Sequence, residues 1–407
     1  MGAWAAARAA ARGASCILLD QLEPGHDRGS SHGDGRIYRF AYEEDIYVDM
    51  MVLSLKHWEA LQAFAGEELF CKTGGVCIAD KAARGTSEDK LSPLEDLYRR
   101  RGLPFQCLTA GELKERYPQY DLPETQEALF QADMGVLFAT KCVQATWRYA
   151  QSLGAELRPS TPVDALARDG DGVVVRTSEG EDIRARSVVL APGAWLSTLA
   201  EKLLGLRVPT QVTAETVSYY APHPECGVDH SYRSMPLFIS FMNNDLGAYG
   251  YYGLPSIDIP GVKVSAHFCG PPIDPSRRPK TAGGLGASES EEAVAAERIA
   301  AVIASNSRII ASQHPHLARE PFLSQNCLYT CTADHDYVID RVPGFPAVVL
   351  AGGGSGHAFK MGPAIGEACA CLALGEAPPL ALGDKFAVER LLRSGSAPPG
   401  SGSAPRK

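Results

Sequence analysis

Hydrophobic and polar positions follow helical and strand-like periods in turn from the first residues of the chain. The stretch GAWAAARAAARG is rich in alanine and ends at Gly13, which favours a helix closed by a glycine cap. The stretch SCILLD has the short apolar run of a buried strand and ends in an acidic residue. After a loop rich in Gly, Ser and His, the apolar spacing over residues 44–66 predicts a long amphipathic helix that ends at Gly66.

The remaining pattern also mixes helices and strands. It predicts a strand at GGVCIAD, a helix with Thr109 as its N-cap, and a helix, a glycine and a strand over residues 139–157. Residues 172–195 predict a hairpin followed by a buried strand, and residues 209–275 predict a sheet with one covered face. A polar loop then leads into a helix near residue 290. This texture predicts an α/β fold.

Length and composition place the chain among ordinary globular proteins. Its 407 residues are enough for two domains. The net charge of −9 argues against nucleic acid or anionic lipid as a partner, because both attract clustered Lys and Arg. The longest apolar runs are far shorter than a membrane span. The 11 cysteines are irregularly spaced, which favours free thiols in a reducing compartment and gives no metal-site pattern.

The N-terminal stretch has the second half of a dinucleotide-binding fingerprint. In that fingerprint, a glycine opens a helix, a second strand follows, and an acid at the strand end binds a ribose hydroxyl. Gly2 and Asp20 fit these two positions. We therefore expect the first strand and the first two glycines to be missing from this sequence. The alternative, an ordinary helix-to-strand turn, stays open on these residues alone.

Longer motifs resemble the amine-oxidising flavoenzymes that include monomeric sarcosine oxidase, N-methyltryptophan oxidase and L-pipecolate oxidase. The similar segments are LLDQLEPGHDRGSSHGDGRIYRFAY, YGLPSIDIPGVKVSAH, NCLYTCTADHDYVID and VVLAGGGSGHAFKMGPAIGE. The shorter segments GVLFATKC and PGAWLSTL also occur in the family's order. The resemblance extends to about residue 390, which leaves only the linker-like tail uncovered.

The resemblance implies a Rossmann-like FAD-binding domain, discontinuous in sequence, and a substrate domain built on an antiparallel or mixed sheet with helices. The expected FAD-binding domain comprises residues 1–75, 139–208 and 325–393. The expected substrate domain comprises residues 76–138 and 209–324. The tail, residues 394–407, has Gly/Ser/Pro composition and is expected to be disordered.

The resemblance also assigns roles to single residues. Cys327 would attach the flavin through a thioether. Arg36 would stabilise negative charge on the reduced ring, and Lys263 would stabilise charge that develops on O2. His267 would flank the substrate. From the residues alone, a buried structural cysteine is the favoured interpretation of Cys327. A solvated basic surface for Arg36 and a side chain that faces water for Lys263 stay open as alternatives.

The substrate carboxylate is expected to bind Arg39 and Lys360, because guanidinium and ammonium groups pair with carboxylates. Tyr252 and Tyr329 are expected to line the substrate pocket. One departure is Gly35, where several family members carry a hydroxyl residue. The remaining residues expected to bind the cofactor, besides Arg36, Cys327 and Lys360, are Gly2, Asp20, Ser30, Ser31, His32, Val163, Gly193, Trp195, Gly353, Gly354, Ser355, Gly356 and His357.

The implied activity is oxidation of a secondary amino acid similar to sarcosine. A hydride passes to the flavin, the imine product hydrolyses, and O2 takes the electrons to give H2O2. L-pipecolate, another N-substituted amino acid or a fructosyl amino acid are alternative substrates. A truncated, non-catalytic relative and a nicotinamide-dependent dehydrogenase are alternatives of other classes. We expect a monomer in the cytoplasm or the peroxisome. The sequence shows no secretory signal, which agrees with either compartment, and it also lacks an S-K-L type C-terminus.

Overall fold

The computed structural model describes residues 1–247, 250–277 and 289–393. The expected disordered tail lies outside the described residues, as does most of the predicted polar loop before the helix near residue 290. The strands, numbered in chain order, are β1 Ile17–Leu19, β2 Arg36–Tyr38, β3 Phe70–Cys71, β4 Gly75–Asp80, β5 Gln106–Thr109, β6 Gln126–Gln131, β7 Gly135–Leu137, β8 Glu156–Arg158, β9 Val163–Asp169, β10 Gly172–Thr177, β11 Asp182–Ala185, β12 Val188–Leu190, β13 Gln211–Tyr220, β14 Leu237–Ser240, β15 Tyr251–Leu254, β16 Val262–Ala266, β17 Leu323–Cys331, β18 Val338–Val342 and β19 Phe345–Gly352. The α-helices are α1 Gly2–Ala10, α2 Asp45–Ala65, α3 Leu91–Arg101, α4 Ala110–Arg116, α5 Ala139–Ser152, α6 Leu196–Leu204, α7 Glu289–Gln313, α8 Gly362–Leu374 and α9 Glu389–Arg393.

Local sequence signals explain where several helices begin and end. The long predicted helix is α2, and Gly66 closes it in the left-handed conformation with a φ of 66°. Thr109 caps α4 as predicted, because its hydroxyl accepts the Glu112 amide while the Glu112 carboxylate accepts the Thr109 amide. The alanine-rich start of the chain forms α1, whose small side chains allow close packing against α5 and α8.

The largest sheet in the described chain contains eight strands in the order β17-β13-β16-β15-β14-β4-β6-β5. β14 and β4 pair in parallel, and the other neighbours are antiparallel. The predicted mixed sheet of the second domain is therefore confirmed. Helix α7 packs against β13 and β16 and covers one face. The opposite face of this sheet turns toward the loop that precedes β2.

Parallel pairing also occurs near the chain's first helix. β1 pairs in parallel with β8, and β12 pairs in parallel with β19. Helix α1 contacts both β1 and β12, and α8 packs on α1 and on β19. This arrangement of short parallel strands under helices is the Rossmann-like part of the fold. The predicted hairpin is also present, as β10 and β11.

The expected domain boundary between residues 324 and 325 falls inside β17. β17 pairs with β13 from Leu323 to Cys331, so the large sheet continues across that boundary. Cys327 and Tyr329, which belong to the similar segment NCLYTCTADHDYVID, thus lie on an edge strand of the large sheet. The strand joins the two expected domains and brings both to one site.

Candidate active site

One cavity of about 2760 Å³ runs from the N-terminus of α1 to the end of β16. It is lined by the loop before β2, by β15, β16 and β17, and by the turn that follows β19. Sites for small ligands commonly measure about 300–1,000 Å³. This cavity therefore has room for an extended cofactor together with a substrate.

The glycine-rich turn after β19 forms one wall of the cavity. Gly353 and Gly356 have φ values of 63° and 73°, in the left-handed region that favours glycine. A Cβ atom on Gly356 would lie 2.3 Å from the Tyr329 ring. The absence of a side chain at residue 356 therefore lets the backbone approach the ring of Tyr329.

Ser355, in the same turn, is the residue predicted to bind the cofactor that does not line the cavity. It is fully buried, its amide donates to the Thr330 carbonyl, and its hydroxyl donates to the Gly353 carbonyl. Its φ of 42° lies in the left-handed region. Its polar groups therefore stabilise the turn.

Arg39 and Lys360 bring two cations to one end of the cavity. Arg39 follows directly after β2, and its guanidinium lies 4.4 Å from the centre of the Tyr42 ring. The Lys360 ammonium lies 5.4 Å from the same ring and donates to the His357 carbonyl at 2.8 Å. Burial, together with the charge of Arg39, holds the pKa of Lys360 well below its usual range. Over residues 1–247, 250–277 and 289–393, neither cation pairs with a carboxylate, so the site suits an anionic ligand.

Lys263 lies on β16 and is held by the loop before β2. Its ammonium is 3.2 Å from Oδ1 of Asp34, and both side chains are nearly buried, with exposures of 7% and 6%. Burial lowers the pKa of Lys263, and Asp34 opposes that effect. Burial alone would raise the pKa of Asp34, but Lys263 outweighs it, so the pKa of Asp34 is lowered. The two groups thus form a buried ion pair.

Three ring side chains gather beyond Lys263. Nδ1 of His267 lies 3.1 Å from the Tyr329 hydroxyl, and the Tyr252 ring packs edge-on against the His267 ring. Burial, together with the positive charge of Arg39, holds the pKa of His267 well below its usual range. His267 is therefore a neutral ring at neutral pH. His267 comes directly after the last residue of β16 and is not part of the strand.

His357 is also neutral and has a defined tautomer. Burial and the nearby Lys360 hold its pKa well below the usual range. Its Nε2 is 3.1 Å from the His335 carbonyl, which only accepts, so Nε2 carries the proton. Nδ1 then accepts from the Tyr337 hydroxyl at 2.6 Å. These bonds fix the ring at the cavity wall.

The end of the cavity near α1 fits the nucleotide part of FAD. Gly2 begins α1 and lines the cavity, and the first turn of α1 contains no acidic side chain and no side-chain cap. A helix N-terminus of this kind binds phosphate through its free amides. Asp20 lines the cavity directly after β1, where its carboxylate can accept from ribose hydroxyls. Cys327, half-buried on β17, lines the opposite end.

The cavity brings together nearly all of the residues predicted from the sequence. Ser355 is the exception. The predicted residues that line the cavity are Gly2, Asp20, Ser30, Ser31, His32, Arg36, Arg39, Val163, Gly193, Trp195, Tyr252, Lys263, His267, Cys327, Tyr329, Gly353, Gly354, Gly356, His357 and Lys360.

Sequence reasoning missed Asp34 and the aromatic residues Tyr42, Tyr219 and Tyr337. Asp34 and Tyr42 both lie within the segment that carries the resemblance, so their proximity to Arg36 and Arg39 was a usable signal. Tyr337 also lies within a similar segment, NCLYTCTADHDYVID. Tyr219 gave no such signal, because only the folded chain brings it to Asp34.

Gly35 has an apolar environment in place of the hydroxyl that several family members carry. A Cβ atom there would lie 2.4 Å from Cδ1 of Ile257 and 3.1 Å from Cδ2 of Leu254. A hydroxyl residue at this position would therefore require Ile257 to move. Among the described residues, no group of three or more His, Cys, Asp or Glu side chains is arranged to hold a metal ion.

Comparison with known proteins agrees with this geometry. Residues 1–372 match the family described as FAD dependent oxidoreductase. The chain belongs to this family. The human peroxisomal sarcosine oxidase is 31% identical to this chain over 352 residues, which are 86% of this chain and 84% of that protein. The monomeric sarcosine oxidase of Bacillus sp. (strain NS-129) is 30% identical over 378 residues, which are 92% of this chain and 90% of that protein.

Solved structures of other proteins share the fold. The structure of NikD, an unusual amino acid oxidase essential for nikkomycin biosynthesis, superposes with a TM-score of 0.76 at 23% identity. It covers 95% of this chain and 94% of its own. The predicted fold class is confirmed. No helix in the described chain is both long and apolar enough to cross a membrane.

Proposed function

We propose that this FAD-dependent oxidoreductase oxidises a small secondary amino acid such as sarcosine. The observation that carries the proposal is the pair of cations Arg39, which is partly buried, and Lys360, which is buried. They have no carboxylate partner in the described chain and line the same cavity as Lys263 and Cys327. Similarity to the human and bacterial sarcosine oxidases supports it. The substrate carboxylate supplies the negative charge that this end of the cavity lacks.

The side chains of the cavity divide the work of binding and orienting. Arg39 and Lys360 bind the carboxylate. Tyr252, His267 and Tyr329 enclose the amine, and His267, being neutral, adds no repulsion to an amine that acquires positive charge. Arg36 donates to the carbonyls of Gly35 and Ser30, which fixes its guanidinium beside the ring site.

When bound, FAD would supply the redox chemistry: a two-electron oxidation of the substrate carbon, coupled to reduction of O2 by two electrons and two protons to H2O2. The substrate leaves as an imine that water hydrolyses. Lys263 keeps a positive charge at the site where O2 is reduced. Gly2, Asp20, the residues before β2 and the glycine-rich turn would hold the cofactor.

An assay of H2O2 formation tests the proposed function. The purified chain would be incubated in air with sarcosine, L-pipecolate, L-proline, N-methyl amino acids and a fructosyl amino acid, with glycine as a primary-amine control. We expect H2O2 with one or more secondary amino acids and little with glycine. Equal or exclusive activity with primary amines would contradict the proposal. Reduction of NAD⁺ without H2O2 would support the dehydrogenase alternative.

We also propose that Cys327 holds the flavin covalently. Cys327 lines the cavity, and in the site Lys263 and Tyr252 interact with it electrostatically. A nearby ammonium favours the thiolate, the reactive form of a cysteine. Acid precipitation tests the bond: a yellow pellet from the natural chain and a colourless pellet from Cys327→Ser are expected, whereas yellow pellets from both would contradict attachment at Cys327.

The compartment and oligomeric state are proposals as well. None of the 11 cysteines forms a disulfide, which fits a reducing compartment such as the cytoplasm or the peroxisome. The human and mouse relatives are named peroxisomal, and the bacterial relatives are named monomeric. We propose a monomer, which sedimentation analysis of the purified chain would test.

A further inference from the structure

The side chain of Asp34 is a buried carboxylate that the roles assigned so far leave unused. It lies in the loop between β1 and β2, and this loop is anchored where α5 begins, since the Ala139 amide donates to the Asp34 carbonyl and the Thr140 amide to the Gly33 carbonyl. The backbone position of Asp34 is therefore fixed independently of its side chain.

The contacts of Asp34 converge on a single oxygen. Its Oδ1 accepts from the Lys263 ammonium at 3.2 Å, from the Tyr219 hydroxyl at 3.1 Å and from the Gly35 amide at 2.8 Å. A carboxylate with three donors on one oxygen is held in its charged form and in one orientation. Asp34 is thus a rigid acceptor rather than a mobile one.

The ammonium of Lys263 is oriented by the same short segment. Besides Asp34, it donates to the Gly35 carbonyl at 3.4 Å. An ammonium group has three N–H donors, and these two bonds leave one for the cavity that Lys263 lines. The Gly35 carbonyl also accepts from Arg36 at 2.8 Å, so residues 34–36 fix two cations of the site together.

We propose that Asp34 is a positioning residue that keeps Lys263 protonated and aims its remaining N–H at the place where O2 is reduced. This inference rests on the proposed oxidase function. The other groups that face Lys263 are Arg36 from β2, Tyr219 from β13 and Cys327 from β17. Arg36 opposes the positive charge of Lys263, Cys327 favours it, and Tyr219 is neutral at neutral pH. Asp34 is the carboxylate that favours the charge.

The balance of charges predicts what removal of Asp34 does. Without it, burial and Arg36 act on Lys263 with less opposition, so the ammonium loses its proton at a lower pH. Reduction of O2 to H2O2 takes two electrons and two protons, and a neutral amine cannot stabilise the negative charge that forms on oxygen. Reoxidation should therefore become slower as pH rises, whereas the step in which substrate reduces the enzyme should change little.

Two measurements on the flavin-loaded enzyme test the proposal. The first is trace acylation of Lys263, read by mass spectrometry of its peptide, because acylating reagents react with the free amine. In Asp34→Asn, we expect acylation near neutral pH to be about tenfold faster than in the natural chain. The second is stopped-flow reoxidation by O2 as a function of pH, where we expect an about tenfold loss from the low to the high end of the range in Asp34→Asn alone.

Two further variants separate positioning from a structural role. Tyr219→Phe retains the carboxylate charge and should leave acylation within about twofold, and Asp34→Glu should restore most of the natural pH profile. Unchanged acylation and an unchanged reoxidation profile in Asp34→Asn would overturn the proposal. A loss that is equal in reduction and reoxidation and independent of pH would also overturn it. Because acylation needs no substrate, it gives a result even if the proposed oxidase function fails.

Discussion

At the scale of single residues, the site concentrates positive charge where burial opposes it. Arg39 and Lys360 both place their charged groups close to the ring of Tyr42. Burial and the charge of Arg39 lower the pKa of Lys360. A carboxylate placed between them would raise that pKa again. Binding of an anion and protonation of Lys360 are therefore linked.

This linkage predicts proton uptake when a small carboxylate such as acetate binds. Calorimetry in buffers of different ionisation enthalpy should show uptake of up to about one proton. The affinity should be highest where Lys360 is protonated in both states and should fall by up to about tenfold per pH unit between the pKa of the free protein and the higher pKa of the complex. It should level off once Lys360 is deprotonated in both states. Lys360→Met should remove the uptake. Lys114→Met, which changes an exposed lysine paired with Asp121, is the control. Binding of natural affinity without proton uptake would contradict the linkage.

The residues of the site could be predicted from the sequence, but their bonds could not. Lys263 and His267 lie in one motif, so the resemblance assigned both. The partner of Lys263 is 229 positions away, and no local pattern joins Asp34 to β16. Ser355 does not line the cavity, and a run of glycines around a serine does not specify its hydrogen bonds to the carbonyls of Thr330 and Gly353.

At the scale of elements, the turn after β19 packs closely against strand β17. Gly356 allows the Tyr329 ring to lie against the backbone, and Tyr329 in turn contacts His267. We expect Gly356→Ala to displace Tyr329 and weaken substrate binding by about tenfold or more, because small misplacements in an active site are costly.

Gly344→Ala is the matched control for that prediction. Gly344 has the same φ of 73°, and a Cβ atom there would meet nothing within 4 Å. Both variants should lose about 1–2 kcal/mol of unfolding free energy from the left-handed backbone alone. Only Gly356→Ala should raise KM. Equal KM values in the two variants would show that Tyr329 does not depend on Gly356.

Elements defined by local signals were predictable, whereas their pairing was not. The helices that end at Gly66 and begin at Thr109 follow from a glycine cap and a capping box. The parallel pairing of β4 with β14 joins residues more than 150 positions apart, and only the packed sheet determines it. The same is true of β17, whose pairing with β13 crosses the expected domain boundary.

At the scale of the whole molecule, a buried carboxylate joins the first helix to the last long one. Glu367 of α8 pairs with Arg8 of α1 and with Arg12, which follows the C-terminal end of α1, and only 7% of the Glu367 side chain is exposed. Burial alone would raise the pKa of Glu367, but the two arginines outweigh it and lower the pKa. This contact supports the wall of the cavity that begins at Gly2.

We expect Glu367→Gln to lower the unfolding free energy at neutral pH by about 2–3 kcal/mol, as measured by urea denaturation. Because the pKa of Glu367 is lowered in the folded chain, its stabilisation is present above the ordinary carboxyl pKa and is lost as pH falls through the lowered value. The natural chain and the variant should therefore converge in acid. Glu376→Gln removes an exposed partner of Arg12 and should change stability by less than about 1 kcal/mol. Equal effects of the two substitutions would contradict this account.

The central claim, that the cavity binds FAD and a secondary amino acid for oxidation, has one most direct measurement. The purified yellow enzyme would be mixed with sarcosine without oxygen while the flavin absorbance is followed, and air would then be admitted. We predict that the absorbance bleaches with sarcosine or another secondary amino acid and returns on addition of O2 with one H2O2 per flavin. An enzyme that binds FAD but keeps its full absorbance with every secondary amino acid offered would contradict the claim.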